Sequence, residues 1–161
     1  GGGPVTPTAT PSGPPTVSVA NGSDAAVEIE GFLEEYRGNG TAEIVTVGTE
    51  RPRKFTGLVD LTVWNDGRSN RSLRLKLEYL PTNETLYRRD GLPANETVTF
   101  DFQRSGRYAV RVTTNATTHS LSLGWDTFDC NERFVGVRAA ADGRVESSGT
   151  TTALACPTRG A

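Results

Sequence analysis

The sequence predicts an all-β protein, an antiparallel β-sandwich that follows a flexible N-terminal tether. Apolar and polar residues alternate over several short runs, and turn-forming residues separate these runs at near-regular intervals. Successive residues of a strand face opposite sides of a sheet, so each run buries one face and leaves the other in water. Several such strands with turns every 8–12 residues or so are typical of a sandwich or barrel.

Residues 1–16 are predicted to be a disordered tether, and residues 17–161 the folded domain. The first fifteen residues are mostly Gly, Pro and Thr. Such a segment buries too little apolar area to offset its conformational entropy. Val17 and Val19 then predict a short edge strand at the start of the domain.

The signals conflict over residues 23–36. Their apolar spacing fits one face of a helix that starts at a Ser-Asp cap. The same stretch also alternates in the manner of a strand, and it leads through a turn signal at 37–40 to an apolar run at 44–47. Gly31 would cost a helix about 1 kcal/mol and suits a β-bulge. A bulged hairpin is favoured, with a short helix as the alternative.

The clearest alternation lies in residues 55–79, which are predicted to form the central β-hairpin. A cluster of turn residues, Asn65-Asp66-Gly67, separates its two arms. The residues predicted to face the core are Val59, Leu61, Val63, Leu73, Leu75, Leu77 and Tyr79.

Further strands are predicted along the rest of the chain. Residues 85–88 form a short edge strand closed by Asp90-Gly91. The other predicted strands cover residues 98–102, 108–112, 120–125, 134–139 and 145–154. The last two form a hairpin around Asp142-Gly143, which is a strong turn signal.

Six of the eight asparagines begin an Asn-x-Ser/Thr triplet, several times the number that chance placement predicts. All six fall in predicted loops, where a glycan is accommodated. The alternative is that Asn and Thr share loops because both satisfy local backbone groups. We favour a glycoprotein, with these candidate acceptors: Asn21, Asn39, Asn70, Asn83, Asn95 and Asn115.

The two cysteines, Cys130 and Cys156, are predicted to form a disulfide that closes the C-terminal hairpin. They are an even pair without the CxxC spacing of a redox or metal motif. Such a bridge stabilises a fold by roughly 3 kcal/mol and belongs to an oxidising compartment. Two free buried thiols are the alternative.

Charge and hydropathy exclude two classes of partner. The net charge of −2 argues against nucleic acid, because phosphate binding needs a concentrated positive patch. No run approaches the roughly 18 apolar residues of a membrane-spanning segment. We therefore expect no nucleic-acid partner and no transmembrane segment. The glycan acceptors and the cysteine pair predict an extracellular or cell-surface location.

No catalytic, cofactor-binding or metal-binding residues are predicted. One histidine, His119, and no methionine are too few for a blue-copper site. Ser120 and Ser122 follow it on one continuous strand without the strained turn of a serine nucleophile. Residues 126–132 are acidic but lack a calcium-loop motif, so a solvated loop is favoured.

Two weaker hypotheses concern carbohydrate. Glu34-Glu35 and Asp60 can be posed as a glycosidase pair, although unplaced carboxylates carry little signal. Trp64 and Trp125 can stack on sugars, although Trp125 is better explained as a core residue.

The segment Gly106-Arg107-Tyr108-Ala109-Val110-Arg111-Val112, preceded by residues 92–98, resembles the immunoglobulin-like modules of secreted archaeal proteins, closest to those of halophilic archaea. The resemblance covers roughly residues 55–156 and implies an immunoglobulin-like fold without any catalytic residue. The Gly/Thr/Pro-rich start is similar to the spacer of surface lipoproteins.

Together these features predict a non-enzymatic cell-surface or secreted glycoprotein module with a structural or binding role at the cell envelope. Its expected partners are an envelope or surface protein, a glycan, or another copy of itself. One alternative is a subunit of an extracellular filament that assembles by strand addition. The other is a secreted hydrolase that acts on carbohydrate.

Overall fold

The computed structural model describes residues 13–22, 42–49, 59–66, 71–114 and 117–151. These residues form strands and one 3-10 turn, Trp125–Thr127. None of the described helical structure is long and apolar enough to cross a membrane. The strands are β1 (Val17–Gly22), β2 (Ala42–Val47), β3 (Val59–Asp66), β4 (Arg71–Tyr79), β5 (Glu84–Leu92), β6 (Thr97–Phe102), β7 (Tyr108–Thr113), β8 (Thr118–Leu123), β9 (Arg133–Ala140) and β10 (Val145–Thr151).

The strands form two sheets that pack face to face, which confirms the predicted β-sandwich. The six-stranded sheet has the order β1-β2-β6-β3-β9-β10, and the four-stranded sheet the order β5-β4-β7-β8. Most neighbours are antiparallel, but β2–β6 and β3–β9 are parallel. The purely antiparallel arrangement is therefore wrong at these two pairs. Short turns force antiparallel pairing between consecutive strands only, whereas these neighbours are distant in sequence.

The core lies between the two sheets and contains the residues that the alternation predicts. The inward-facing side chains of β3 and β4 are fully buried, apart from Tyr79 at 8% exposure. Tyr108 contacts Phe102 and Phe128, with ring centroids 4.9 and 6.0 Å away. These aromatic contacts join the six-stranded sheet, the four-stranded sheet and the loop after the 3-10 turn.

The predicted central hairpin is wrong, because its two arms lie in different sheets. β3 pairs with β6 and β9, while β4 pairs with β5 and β7. Asn65 and Asp66 continue β3 opposite Ala139 and Ala140 instead of turning, and Gly67 lies outside the described residues. The alternation identified the buried face of each strand, but it contains no information about which strand lies alongside.

Two other strand boundaries differ from the prediction. β5 is an edge strand as predicted, but it continues through Asp90 and Gly91, where Gly91 has a φ of 82°. β8 ends at Leu123, and Trp125 begins the 3-10 turn instead of extending the strand. Both predicted boundaries rest on local pattern: Asp90-Gly91 resembles a turn, and Trp125 continues the apolar alternation. In the structure, the strand ends depend on pairing with the neighbouring strand.

The C-terminal hairpin is confirmed, with β9 and β10 antiparallel. Its loop has three residues, Ala141 to Gly143, because Ala140 N donates to Arg144 O at 2.8 Å. Gly143 has a φ of 91°, the left-handed conformation that such a loop requires at its last position.

The predicted N-terminal edge strand is also confirmed, as β1. Before it, Pro15 is buried, and the carbonyl oxygens of Gly13 and Thr16 accept hydrogen bonds from Arg104 and Gly48 at 2.9 and 2.7 Å. The end of the predicted tether therefore contacts the domain. The remainder, residues 1–12, and the contested residues 23–36 lie outside the described part of the chain.

Candidate functional site

A row of polar side chains crosses the middle of the six-stranded sheet on its outer face, the face directed away from the four-stranded sheet. It is formed where β3 and β6 pair, and its facing pairs are Asp60 with Asp101, Thr62 with Thr99, and Trp64 with Thr97. We call this row the outer ladder. The polar alternates of β3 were predicted to face water, which is wrong for Thr62, at 6% exposure. Trp64 and Thr97, on the same face, are each 1% exposed. Alternation shows which face is polar, but not whether other parts of the molecule cover that face.

The threonines satisfy each other across the strands. Thr62 Oγ1 and Thr99 Oγ1 are 2.8 Å apart and share one hydrogen bond. Thr97 Oγ1 is buried and has no hydrogen-bond partner among the described residues. A buried hydroxyl without a partner costs stability, so this end of the outer ladder is less well satisfied than its middle.

Asp60 and Asp101 form a carboxylic acid pair at the other end of the outer ladder. Burial, the charge and hydrogen bond of Asp101, and the charge of Glu132 together raise the pKa of Asp60 to about 7. Gln103 Nε2 donates to both oxygens of Asp101, at 2.9 and 2.8 Å. Asp60 therefore keeps its proton close to neutral pH.

This pair does not have the geometry of a glycosidase. The two carboxyl groups hydrogen-bond to each other, whereas retaining and inverting enzymes keep theirs about 5 Å or more apart. Glu34 and Glu35, the other members of the glycosidase hypothesis, lie outside the described residues. Within the described ranges, no group of three or more His, Cys, Asp or Glu side chains is placed to hold a metal ion.

Trp64 is a structural residue of the outer ladder. Its indole Nε1 donates to Asn95 Oδ1 at 2.9 Å, and the guanidinium of Arg138 lies 5.7 Å from the ring centroid. Arg138 also pairs with Asp66 and, at 3.7 Å, with Glu146. Because the ring is buried, the prediction that Trp64 stacks on sugars is wrong. The side chain of Trp125 lies outside the described part of the structure.

A second polar cluster joins the two sheets at the β2–β5 side of the sandwich. Glu43 projects from β2 toward the four-stranded sheet and accepts hydrogen bonds from Tyr87 Oη and, at 2.8 Å, from Arg89 Nη1. Arg89 also contacts Glu96 at 3.3 Å. We call Glu43, Tyr87 and Arg89 the inter-sheet clamp. Burial, and then the hydrogen bond and charge of Glu43, raise the pKa of Tyr87, so the phenol stays a donor.

Tyr108, the first residue of β7, fastens the corner where the chain passes from one sheet to the other. Its hydroxyl donates to the carbonyl of Arg104 at 2.9 Å. A Cβ atom on Gly106 would lie 3.1 Å from Cε2 of this ring. Packing therefore explains the glycine two residues before Tyr108, because glycine lets the tyrosine ring lie against the backbone.

The candidate glycan acceptors differ in their surroundings. Asn83 is exposed in the turn before β5, and Asn21 is exposed within β1, an edge strand and not the predicted loop. Asn95 is half-buried in the turn before β6. Asn83 and Asn95 have positive φ angles, 56° and 63°, which asparagine tolerates better than most residues. The other three acceptors, Asn39, Asn70 and Asn115, lie outside the described residues.

The remaining candidate residues show no further site. His119 is an exposed strand residue on β8. In the acidic loop, Asp129 accepts from Asn131 N at 2.9 Å and pairs with Arg133 at 3.1 Å, so it already has partners within its own loop. Cys130 lies half-buried in this loop. Cys156 lies outside the described residues, so their pairing stays a prediction.

Sequence reasoning missed most of the residues in both clusters. It considered Asp60 but not Asp101 or Gln103, and it assigned no role to Glu43 or Arg89. The only local signal was that Asp101 alternates with Phe100 and Phe102, which places it on the outer face. Nothing local connects residues 41 or 46 positions apart.

Comparison with known proteins gives no relative: no family model, no curated protein and no solved structure matches this chain.

Proposed function

We propose that this chain is a non-enzymatic, immunoglobulin-like glycoprotein module that acts outside the cell, with a structural or binding role at the envelope. The observation that carries the proposal is the tyrosine corner formed by Tyr108 and Arg104. In immunoglobulin-like sandwiches a tyrosine at the start of strand F donates its hydroxyl to backbone a few residues upstream. Tyr108 makes this contact over a spacing of four residues.

The strand pairing supports the same assignment. β3 pairs with β6 in one sheet, while β5, β4, β7 and β8 are consecutive neighbours in the other. These are the neighbours expected of strands B and E, and of strands C′, C, F and G. The two parallel neighbours, β2 beside β6 and β9 beside β3, do not belong to that arrangement.

The glycoprotein part of the proposal rests on the acceptor side chains. Asn21 and Asn83 are exposed, and exposed positions leave room for a bulky glycan. Asn95 uses its Oδ1 atom as the acceptor for Trp64. A glycan is attached through Nδ2, so modification is compatible with this hydrogen bond.

Intact mass spectrometry of the natively purified protein tests the compartment. We expect the mass to fall on enzymatic or chemical deglycosylation and to gain two hydrogens on reduction, from a Cys130–Cys156 disulfide. Asn83→Gln should remove one glycan mass, while Asn131→Gln, at an asparagine outside any triplet, should remove none. An unmodified mass together with two free thiols would overturn the extracellular proposal.

The pairing of the N-terminal strand argues against the filament alternative. β1 pairs with β2 of its own chain over six residues, so the strand that could be donated already fills an edge of its own sheet. Deleting residues 1–12, which precede the contacts of Gly13 and Thr16, should leave the melting temperature and the association state unchanged. A polymer that dissolves on this deletion would favour the filament.

The hydrolase alternative is favoured by one observation, the pKa of Asp60 near 7, because perturbed carboxylates often mark active sites. Its test is a panel of polysaccharides and chromogenic glycosides. We expect no turnover above that of an Asp60→Asn, Asp101→Asn double variant. Turnover that disappears in this variant would establish the enzyme.

A further inference from the structure

Among the described strands, β8 is the least protected sheet edge. The sheets end at β1 and β10, and at β5 and β8. Natural proteins protect such edges with charged residues, Pro, bulges or covering segments, because an open edge pairs with other chains. β8 contains no Asp, Glu, Lys or Arg, and it contains neither Pro nor Gly. Its side chains at 118–120 and 122 are exposed.

The other three edges carry features that β8 lacks. β5 has exposed Arg88 and Asp90 side chains, 3.5 Å apart, and two register irregularities against β4. β10 contains Glu146 and Gly149. β1 carries the candidate glycan acceptor Asn21. Each of these features discourages continuous pairing with another strand.

The backbone of β8 is regular enough to accept a partner. All six of its residues pair with β7 in one uninterrupted antiparallel register, from Thr118 opposite Thr113 to Leu123 opposite Tyr108. β7 is its single neighbour among the described strands. Leu121 is half-buried on the core-facing side of this edge, while Ser120 and Ser122 project from the other side of the sheet.

We propose that β8 pairs antiparallel with β8 of a second copy of this chain, about a two-fold axis through Leu121. The segment Ser120-Leu121-Ser122 reads the same in both directions. A two-fold axis therefore places Leu121 opposite its own copy and Ser120 opposite the copy's Ser122. Two four-stranded sheets become one continuous sheet.

Self-complementarity is the reason to choose a second copy as the occupant. An isologous contact requires the same surface to match itself. Here apolar Leu121 meets apolar Leu121, the serine hydroxyls meet across the strands, and no like charges oppose each other. The exposed part of Leu121 is covered in the dimer. This inference goes beyond the proposed function and applies equally to a chain in any compartment.

The dimer is expected to be weak, since a single six-residue strand edge buries little area and small interfaces bind transiently. Sedimentation equilibrium of the purified full chain, at concentrations up to about 1 mM, is the primary measurement. We expect a reversible monomer–dimer equilibrium. A purely monomeric chain at the highest concentration would overturn the proposal.

Charge substitution tests the pairing itself. A Ser120→Glu, Ser122→Glu variant places glutamates opposite glutamates, and a Ser120→Lys, Ser122→Lys variant does the same with lysines. Each should weaken dimerisation at least about tenfold, and an equimolar mixture should associate at least as strongly as the unmodified chain. Failure of the mixture to associate would contradict this register.

The matched control adds the same charge to β10, an edge strand of the six-stranded sheet. Ser147→Glu, Thr151→Glu changes two exposed residues of β10 and should leave the dissociation constant unchanged. Equal weakening by this control would mean that β8 is not the interface. Thermal unfolding of every variant distinguishes lost association from lost folding, because edge-exposed serines contribute little to the core.

Discussion

Glu43 and Asp60 lie on the two strands that flank β6, yet their surroundings are opposite. Glu43 faces inward and meets the hydroxyl of Tyr87 and the guanidinium of Arg89. Asp60 faces outward and meets the carboxyl of Asp101, and it also feels the negative charge of Glu132. Donors and positive charge surround the first carboxylate, and negative charge surrounds the second. The electrostatic surroundings of a carboxyl group on a sheet therefore depend on the face that it occupies and on the residues that the fold brings next to it.

This comparison predicts that breaking the inter-sheet clamp is the more damaging change. Arg89→Ala leaves Glu43 and Glu96 without their cation between the sheets. Fully buried pairs cost about 3–5 kcal/mol when one partner is removed, and the partial exposure of Arg89 reduces this to about 2–4 kcal/mol. Urea unfolding measures the loss. The neighbouring Arg88→Ala, at a 62% exposed side chain, should cost less than about 0.5 kcal/mol. Equal losses in the two variants would show that the clamp stabilises the fold no more than an exposed surface pair.

Asp60→Asn should raise the free energy of unfolding, in contrast to Arg89→Ala, and the size of this gain should depend on pH. The pKa of Asp60 is raised from 3.8 to about 7 in the folded state, so the folded state holds its proton more tightly. The stability from this group is complete below about pH 4 and is lost as pH rises through 7. After allowance for partial solvation, we expect the unmodified protein to lose about 1–2 kcal/mol over that interval relative to the variant.

Unfolding free energies of both proteins from pH 4 to 9 check this difference. Asp101→Asn is the matched change, because it removes the neighbouring charge and leaves Asp60 in place. It should lower the pKa of Asp60, as followed by the NMR shift of its carboxyl carbon. Parallel stability profiles for Asp60→Asn and the unmodified chain would show that the pKa of Asp60 is not raised in the folded state.

Tyr87→Phe sharpens the comparison by removing one donor from Glu43 and keeping Arg89. A hydrogen bond to a charged group contributes about 1.5–3 kcal/mol, and less where the site is partly open. We expect a loss of about 1 kcal/mol in thermal or urea unfolding. In an Arg89→Ala background the loss should be larger, since Glu43 then has the phenol as its remaining donor in the clamp. Additive losses would contradict coupling within the clamp.

The smallest effect is expected for a double substitution in the middle of the outer ladder. Thr62→Val alone leaves Thr99 without its partner and should cost about 1 kcal/mol, whereas replacing both threonines by valine should be nearly neutral. A double-mutant cycle from urea unfolding measures the difference. A double variant less stable than either single variant would mean that the two hydroxyls have further partners.

Much of the fold was predictable from local pattern. The alternation located β3, β4, β6 and β7 and their core-facing residues, and Asp142-Gly143 located the C-terminal turn. The pairing of β3 with β6 and β9 was not predictable, because Asn65-Asp66-Gly67 looks like a hairpin turn. The burial of Trp64 was missed for a related reason. Alternation places this residue on the outer face of the strand, but it does not show whether other parts of the protein cover that face.

The sequence by itself determined which residues form strands and which side of each strand is apolar. Alternation is a property of the local chain, so it survives without knowledge of the fold. Only the tertiary structure decided which strands are neighbours, and with that the meeting of Asp60 with Asp101 and of Glu43 with Arg89. Backbone hydrogen bonds are the same for any pair of strands, so the choice among them is made by packing of the whole core. Residues far apart in sequence come into contact, and change each other's electrostatic surroundings, only through this order of strands.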